Sequence, residues 1–591
     1  MDNLAATKPD TIRTRRWQDT FESIIVNIIA VLLFIAFGYI AVMSIFQTSV
    51  IDPDNYVNEV ILYQPDNAML SVALTALFFI IVMGMRRYYS FFSRVNLVAM
   101  EIGLLVYVLV LGMLWVNAVQ SIPGADSANI FEAASGAAQG DYTGLQSNAL
   151  FHNHDYYQNN SYFMFYPFQL GFVFICELIY RVFGAATAMP LEYINVICVA
   201  LAYLGIAKVT RELFSRRAAE FVAIVLLIGC LQPILFTTFA YGNVMGMCFA
   251  IWACYFLIRY FRTARYLLLI PSGVLLVLST LAKYNNMIYL VAFAVVLIVH
   301  AIKEKKWQSI AFLLILCVCT VGASKLIIKS YEQRADTTYT NGVSQVLYMD
   351  TGLQESYMAP GWYTTIGMRT FMDNNFDTDA ANEQAWEDIK ERLEQFSDDP
   401  AYAVDFFSKK ILSQWNEPTY ESIWVSKVKG HYNGEVGAFV NSVYNKSWGQ
   451  FLGSYFNGYV QVLFVLFAGG IMTLFIKRRT DISTILLPLV LLGGFGYHLL
   501  FEGKSQYILT YIILLIPIAA FAAVSMMESR ANIFAFIGDE PASYKPDEPG
   551  EPEESDEPKA AAELPTQAED TADLPDAAAP IDADETMEDE G

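Results

Sequence analysis

Thirteen apolar runs, near residues 24–46, 67–86, 96–117, 163–183, 189–209, 217–238, 242–261, 265–282, 286–303, 307–328, 457–476, 482–500 and 505–527, occupy most of the first 530 residues. Each approaches the length that crosses a hydrocarbon layer of roughly 30 Å. Lipid offers no partner to backbone N–H and C=O groups, so such runs are expected to be helices that satisfy those groups internally. The composition agrees: 55% of the chain is hydrophobic and only 16% is charged, against roughly 25% charged in soluble domains. A soluble enzyme built around one core is excluded. The 41 Phe, 35 Tyr and 9 Trp suit helices that end in aromatic belts at both membrane surfaces.

Positive residues should mark the inner loops. They cluster at Arg13 to Arg16, Arg86/Arg87/Arg94, Arg211/Arg216/Arg217, Arg259/Arg262/Arg265, Lys303/Lys305/Lys306 and Lys477/Arg478/Arg479. Counting forward from an inner N-terminus puts residue 118 outside. Counting back from the later clusters also puts residue 189 outside, so the run at 163–183 cannot cross. Its interior Glu177 and Arg181, with Pro167 and Gln169 near its start, suit a segment lying along the outer interface. The expectation is an all-α polytopic membrane protein with about twelve spanning helices, both termini cytoplasmic, and two large outer segments at about 118–188 and 329–456.

The predicted organisation follows. Residues 1–95 give an N-terminal segment and two accessory helices, and 96–328 a transmembrane core whose outer loop, 118–188, is the place for chemistry. Residues 329–456 form a small, mostly helical outer insert, with patterns such as `NEQAWEDIKERLEQF` and a helix start at Asp398 to Pro400. Residues 457–530 supply the last spanning helices, and 531–591 a tail. Residues 539–591 hold 20 Asp/Glu against Lys545 and Lys559, so the preceding 538 residues carry a net charge of only -4 out of the total of -22. The Pro-, Ala- and acid-rich tail cannot bury enough apolar surface to offset chain entropy and is expected to be disordered. Neither part reads as a nucleic-acid binder. Cysteines such as Cys198, Cys230, Cys248 and Cys254 stand singly in apolar runs and read as packing residues. The Arg-flanked first run has no small-residue cleavage site soon after it and reads as an anchor.

The first outer segment opens with `SIPGADSANIFEAASGAAQGDYTG`, which puts Asp126 within two helical turns of the membrane surface. A carboxylate there serves either as a helix cap ahead of `SANIFEAA` or as a general base for an incoming hydroxyl. Further on, His152 and His154 beside Asp155 have the residue types of a metal site but not a complete ligand set. Asn159 and Asn445 stand in N-x-S contexts.

An Asp shortly after a spanning helix, `GDY` at Gly140 to Tyr142, `YPFQLG` at Tyr166 to Gly171 opening an interfacial apolar segment, and `RELFSRRAAEFVAIVLL` beyond it resemble the first third of membrane glycosyltransferases of the GT-C superfamily. The likeness is to family 39 and its bacterial relatives, the protein O-mannosyltransferases and aminoarabinose transferases. `FAYGNVMGMCFAIWACYFLIRYFR` at 239–262, `LSTLAKYNNMIYLVAF` at 278–293 and `FEGKSQYILTYIILLIP` at 501–517 extend it over most of residues 96–527. Three positions depart from the family pattern. Asn243 replaces an acidic residue of many relatives, the Pro-Pro pair is reduced to Pro167-Phe168, and the preceding His or Lys is Tyr166.

The resemblance implies a GT-C-like bundle in a bacterial plasma membrane, with its active site outside the cytoplasm. It implies transfer of a sugar from a polyprenyl-phosphate donor to a glycan, lipid or protein acceptor of the cell envelope, with Asp126 as base. A second carboxylate is left open among Glu132, Asp141, Asp155 and Glu192. No cofactor is singled out, and a divalent metal is compatible with the family. A phosphate near hydrocarbon needs cations, and Lys283 and Lys504 stand at outer helix ends, with Glu502 placed to orient Lys504. Tyr166, Gln169 and Asn243 could hydrogen-bond a sugar, and Trp362, Tyr363 and Trp415 could stack on an acceptor or sit in a core. The rival reading is a transporter or a flippase for lipid-linked sugars, for which twelve spans are a common layout. It lacks charged groups near the midplane.

Overall fold

The computed structural model describes residues 17–55, 57–147, 161–477 and 481–528. The acidic tail, the arginines before residue 17, and the His152/His154/Asp155 cluster with Asn159 lie outside the described residues. Those described belong to one compact unit.

Each of the twelve runs expected to cross becomes helix. Ten helices are long and apolar enough to span, from Trp17–Phe46 to Ser505–Met527, and Tyr266–Ala282 is a shorter apolar helix. The remaining run is a pair, Arg217–Gly229 and Gln232–Thr238, bent by 46°. The bend has a visible cause. Pro233 has no N–H to give to the carbonyl of Gly229, and the carbonyls around the break take side-chain donors instead. Tyr459 donates to Leu226, Tyr107 to Ile228, Tyr455 to Gly229 and Tyr203 to Cys230. Four phenols thus replace the partners that water would supply outside a membrane. The chain is a multi-pass, mostly helical membrane protein.

The excluded run is a fourteen-residue helix, Leu170–Phe183, about 21 Å long and too short to cross. Its Glu177 accepts hydrogen bonds from Arg181 at 2.7 Å, from Arg334 at 2.8 Å and from Tyr331. Arg334 closes the helix Gln308–Ala335, so this clamp ties the short helix to the end of a spanning one. That helix runs past the expected boundary at 328, and Ser447–Lys477 begins before 457. The insert is correspondingly shorter, because both helices carry polar turns beyond the apolar stretch.

One feature was not foreseen. A two-stranded antiparallel hairpin, β1 (Gln47–Ile51) and β2 (Ile61–Pro65), joins the first two spanning helices, with Ile51 opposite Ile61. Its free edges are used: Ser49 N–H donates to Asn416 and Ile61 N–H to Met358, both in the insert. Inside the insert, Asp399 caps Pro400–Trp415 by accepting from Tyr402 N–H, with proline in the first turn. Hairpin and insert therefore form one cover over the same end of the bundle.

Candidate active site

Under that cover lies a cavity of about 620 Å³, at the end of the bundle opposite the basic clusters. Its wall is assembled from distant segments: the hairpin loop, the turn before Asp126, the stretch Tyr162 to Gln169, the loops at Tyr241 and Lys283, and the insert with the loop at Glu502 and Lys504.

Asp126 is the first residue of the helix Asp126–Gln139 and lines this cavity. It is not a cap. Ala125 holds the cap position without a side-chain bond, and Ser127 hydroxyl bonds both the N–H and the C=O of Gly124. Ala125 has φ 50°, a left-handed conformation that costs a non-glycine residue on the order of 1 kcal/mol. The helix behind it buries Asn129, Ile130, Ala133 and Ala137, one face of a helical period, and Leu170–Phe183 packs against it. Asp126 is therefore held in a strained turn on a rigid helix. Its side chain is exposed and opens into the cavity. Withdrawal of water pushes its pKa up, against the pull of Lys283, Lys504, Lys429 and a hydrogen bond from Tyr162.

Lys283 follows the helix Leu269–Ala282 directly. Its ammonium lies 4.3 Å from the ring centre of Tyr241 and 5.3 Å from that of Tyr507, contacts that stabilise a cation without neutralising it. Burial lowers its pKa to about 8, with Asp126 and Glu502 pulling the other way. The approach of the two loops depends on Gly242: a Cβ there would stand 1.8 Å from the carbonyl oxygen of Ala282. On the opposite wall, Gly342, at φ +72°, lets the insert close on Pro167, whose Cδ would be 2.4 Å from a Cβ. That contact seats the `YPFQ` turn, where Tyr166 lines the cavity and Gln169 donates to the Tyr241 hydroxyl.

Lys504 also faces the cavity, but its partner differs from the one expected. Its ammonium pairs with Glu59 of the hairpin loop at 3.3 Å, while Glu502 accepts from the Tyr507 hydroxyl at 3.1 Å. Burial would lower the pKa of Lys504, yet Glu59, Glu421 and Glu502 outweigh it and leave the group raised. Glu502 is raised by burial despite Lys504. Glu421 lies behind them, accepting from Ser505 hydroxyl and Gln506 N–H.

The structure thus brings together Asp126, Tyr166, Gln169, Lys283, Glu502 and Lys504, and Tyr363 joins them on the wall. Other candidates sit elsewhere. Asn243 is buried behind the wall and donates to the Gln506 carbonyl at 3.4 Å. Glu132 packs against Gly144, and exposed Asp141 accepts from Thr143 N–H at 2.9 Å, a turn-stabilising bond. Glu192 is buried, accepting from Ser121 hydroxyl at 3.1 Å. The carboxylates that do accompany Asp126 are Glu502 and Glu59. Trp362 and Trp415 are core residues, the former donating to Ser413 and the latter packed on Phe37. Among the described residues no group of three His, Cys, Asp or Glu side chains is placed to hold a metal ion.

Two wall residues escaped sequence reasoning. Glu59 sits in a short loop with no motif, and Lys429 follows a four-residue helix of the insert, Trp424–Lys427. Lys429 lies 4.2 Å from the ring centre of Phe239 and 3.4 Å from Ser127 Oγ. Burial lowers its pKa to about 7, with Glu192, Asp126 and Glu59 opposing. Proximity of both to Asp126 follows from tertiary docking alone.

Residues 169–328 match the family described as dolichyl-phosphate-mannose-protein mannosyltransferase, which bears out the resemblance to GT-C membrane glycosyltransferases drawn from the motifs. No curated protein matches the chain. Among solved structures, the chain is similar to the archaeal oligosaccharyltransferase AglB from Archaeoglobus fulgidus in complex with an inhibitory peptide and a dolichol-phosphate. The identity is 15% and the TM-score 0.38, over 72% of this chain and 50% of that one. ArnT from Cupriavidus metallidurans bound to undecaprenyl phosphate is similar at 12% identity and TM-score 0.30, over 71% of this chain and 77% of that one. The arabinosyltransferase EmbB from Mycobacterium smegmatis is similar at 13% identity and TM-score 0.28, over 79% of this chain and 45% of that one. The chain spans about half the length of the oligosaccharyltransferase it matches.

Proposed function

We propose that the chain is a membrane glycosyltransferase that moves a sugar from a polyprenyl-phosphate donor to an acceptor hydroxyl, with inversion at the anomeric carbon. The observation that carries this reading is the sharing of one cavity by Asp126, Lys283 and Lys504. It is supported by the family match over residues 169–328.

In this reading the acceptor hydroxyl gives its proton to the Asp126 carboxylate as its oxygen bonds to the anomeric carbon. The bond from that carbon to the phosphate oxygen breaks on the opposite face, and its electron pair leaves with the phosphate. Lys283 and Lys504 hold the departing anion, where ammonium groups are worth more than in water because the cavity is sheltered. Raised basicity of Asp126 helps the first step, and charge on Lys283 helps the last. Tyr166 and Gln169 hydrogen-bond the sugar in this reading, and Tyr363 stacks on the acceptor. Asn243 acts from behind the wall by fixing the Gln506 backbone.

On the same reading, the cavity faces the outside of a bacterial plasma membrane, both termini are cytoplasmic, and the cover formed by hairpin and insert encloses the reaction. The acceptor belongs to the cell envelope as a glycan, lipid or protein.

The test is transfer by purified protein from a panel of radiolabelled polyprenyl-phosphate sugars to an envelope extract, comparing wild type with Asp126→Asn. Transfer or slow donor hydrolysis that vanishes in the folded variant is the expected result. Activity that survives moves the base to another carboxylate, Glu502 first. Absence of turnover with every donor, together with lipid-linked sugar translocation in vesicles, would replace this reading by the flippase one.

A further inference from the structure

Three lysines line the cavity, and they are not equivalent. Lys504 has a carboxylate, Glu59, at 3.3 Å. Buried Lys410, just outside, donates to the carbonyls of Gly352 and Phe501. Both are accounted for by the protein. Lys283 and Lys429, by contrast, make no ion pair among the described residues. At contact distance the first meets the rings of Tyr241 and Tyr507, and the second the ring of Phe239 and, at 3.4 Å, Ser127 Oγ; Asp126 and Glu502 act on the first, and Glu192, Asp126 and Glu59 on the second, from beyond ion-pair distance. An ammonium taken from water without an anion is costly unless something else repays it. One leaving phosphate accounts for one of these cations.

The two come from different segments and meet neighbouring rings of one loop, Tyr241 and Phe239, whose centres are 5.2 Å apart. Lys283 belongs to the Tyr241 and Tyr507 side. Lys429 lies along the turn that carries the proposed base: its aliphatic stem would be 3.4 to 3.8 Å from a Cβ at Gly124, and its ammonium reaches Ser127. An anion at Lys429 would therefore lie along the turn that carries Asp126.

We propose that Lys429 is a second oxyanion site, separate from the one at Lys283, and that it receives a phosphate or carboxylate carried by the acceptor. This rests on the glycosyl-transfer reading for the acceptor's role, but the anion site itself does not. An acidic acceptor glycan would thus be oriented by its charge before its hydroxyl reaches the base.

The test counts inorganic phosphate bound per chain, by equilibrium dialysis on the purified full-length protein, for wild type, Lys429→Gln, Lys429→Arg and Lys283→Gln. Elution and melting profiles confirm that each variant is folded. Wild type and Lys429→Arg are expected to bind two, and each Gln variant one. An unchanged count in folded Lys429→Gln, or a wild type that binds fewer than two, overturns the proposal. So does a variant whose only change is a shifted pH profile for Asp126, which would make Lys429 a tuner of the base.

Competition separates the sources of the second anion. Glycerol phosphate displacing only the Lys429-dependent phosphate assigns it to the acceptor, as proposed. One pyrophosphate displacing both, and weakened about tenfold or more in either Gln variant, overturns that assignment in favour of a diphosphate donor. Donor hydrolysis is followed in the same preparation. Two bound phosphates without hydrolysis removes the transfer reading and keeps the anion site, whereas hydrolysis with one bound phosphate does the reverse.

Discussion

The two ends of the bundle handle charge differently. At the end with the basic clusters, cations meet carboxylates: Lys303 pairs with Glu22 at 2.8 Å, Arg262 with Asp481 at 3.5 Å, Arg259 with Glu212 at 3.8 Å, Arg216 with Glu528 and Lys208 with Glu101. At the cavity end Lys504 keeps such a partner in Glu59, but Lys283 and Lys429 are held by rings, with no carboxylate within ion-pair distance among the described residues. Side chains that only stabilise are neutralised in place, because an unpaired charge beside lipid is costly. Side chains kept unpaired at similar cost imply a partner that comes and goes.

Breaking the cavity end should have the largest effects. Asp126→Asn removes the proton acceptor and is expected to lower transfer by about 10²- to 10⁴-fold, read as initial rate with donor and acceptor saturating. Lys283→Gln should lower kcat for the sugar-transfer step by about 10²-fold, the usual loss for one group that stabilises a developing anion. An unchanged kcat would show that Lys283 only anchors the headgroup.

The pH profile should be a bell. Asp126 must be ionised, and its pKa is raised by burial, so activity climbs through an inflection above the ordinary aspartate range. Lys283 must be protonated, and its pKa is lowered to about 8, so activity falls as pH passes that value. Replacing Lys283 by Arg, which stays charged, should flatten the alkaline limb.

Smaller changes sharpen the contrast. Glu59→Gln frees Lys504 for an incoming phosphate and should lower the donor KM about threefold with kcat nearly constant, because the hairpin no longer competes. At the other end, Glu22→Gln breaks an ion pair and weakens the bond from Ile482 N–H. It should cost about 1 kcal/mol of stability, seen as a lower melting temperature, and leave turnover alone. An equal loss of turnover would mean that the two ends are coupled.

The spans were legible because a 30 Å barrier imposes a length and a composition that no loop imitates. Run 163–183 was resolved by charge parity rather than by apolarity, and Glu177 with Arg181 and Arg334 shows the polar clamp behind that reading. Lys283 and Lys504 could be singled out because each charge follows or precedes an apolar helix. Glu59 and Lys429 could not. They reach the cavity only through the docking of a hairpin and an insert onto each other, hundreds of residues apart, and neither hydropathy nor local spacing encodes that contact. Chain proximity to Asp126 drew attention to Glu132 and Asp141, but the helix turns one into packing and the following turn spends the other on Thr143. Asn243 was drawn in by motif and stands one layer back.

The contact at Gly242 has a mechanical meaning beyond steric fit. Because the 239–242 loop rests on the Ala282 carbonyl with no room for a single methyl group, the separation between Tyr241 and Lys283 is set by two backbones and not by flexible side chains. The joint has no clearance, so it cannot be tightened by a ligand, only loosened by substitution. The backbone that carries this cation keeps its position whether the cavity is full or empty, and on the glycosyl-transfer reading that wall need not reorganise between one turnover and the next.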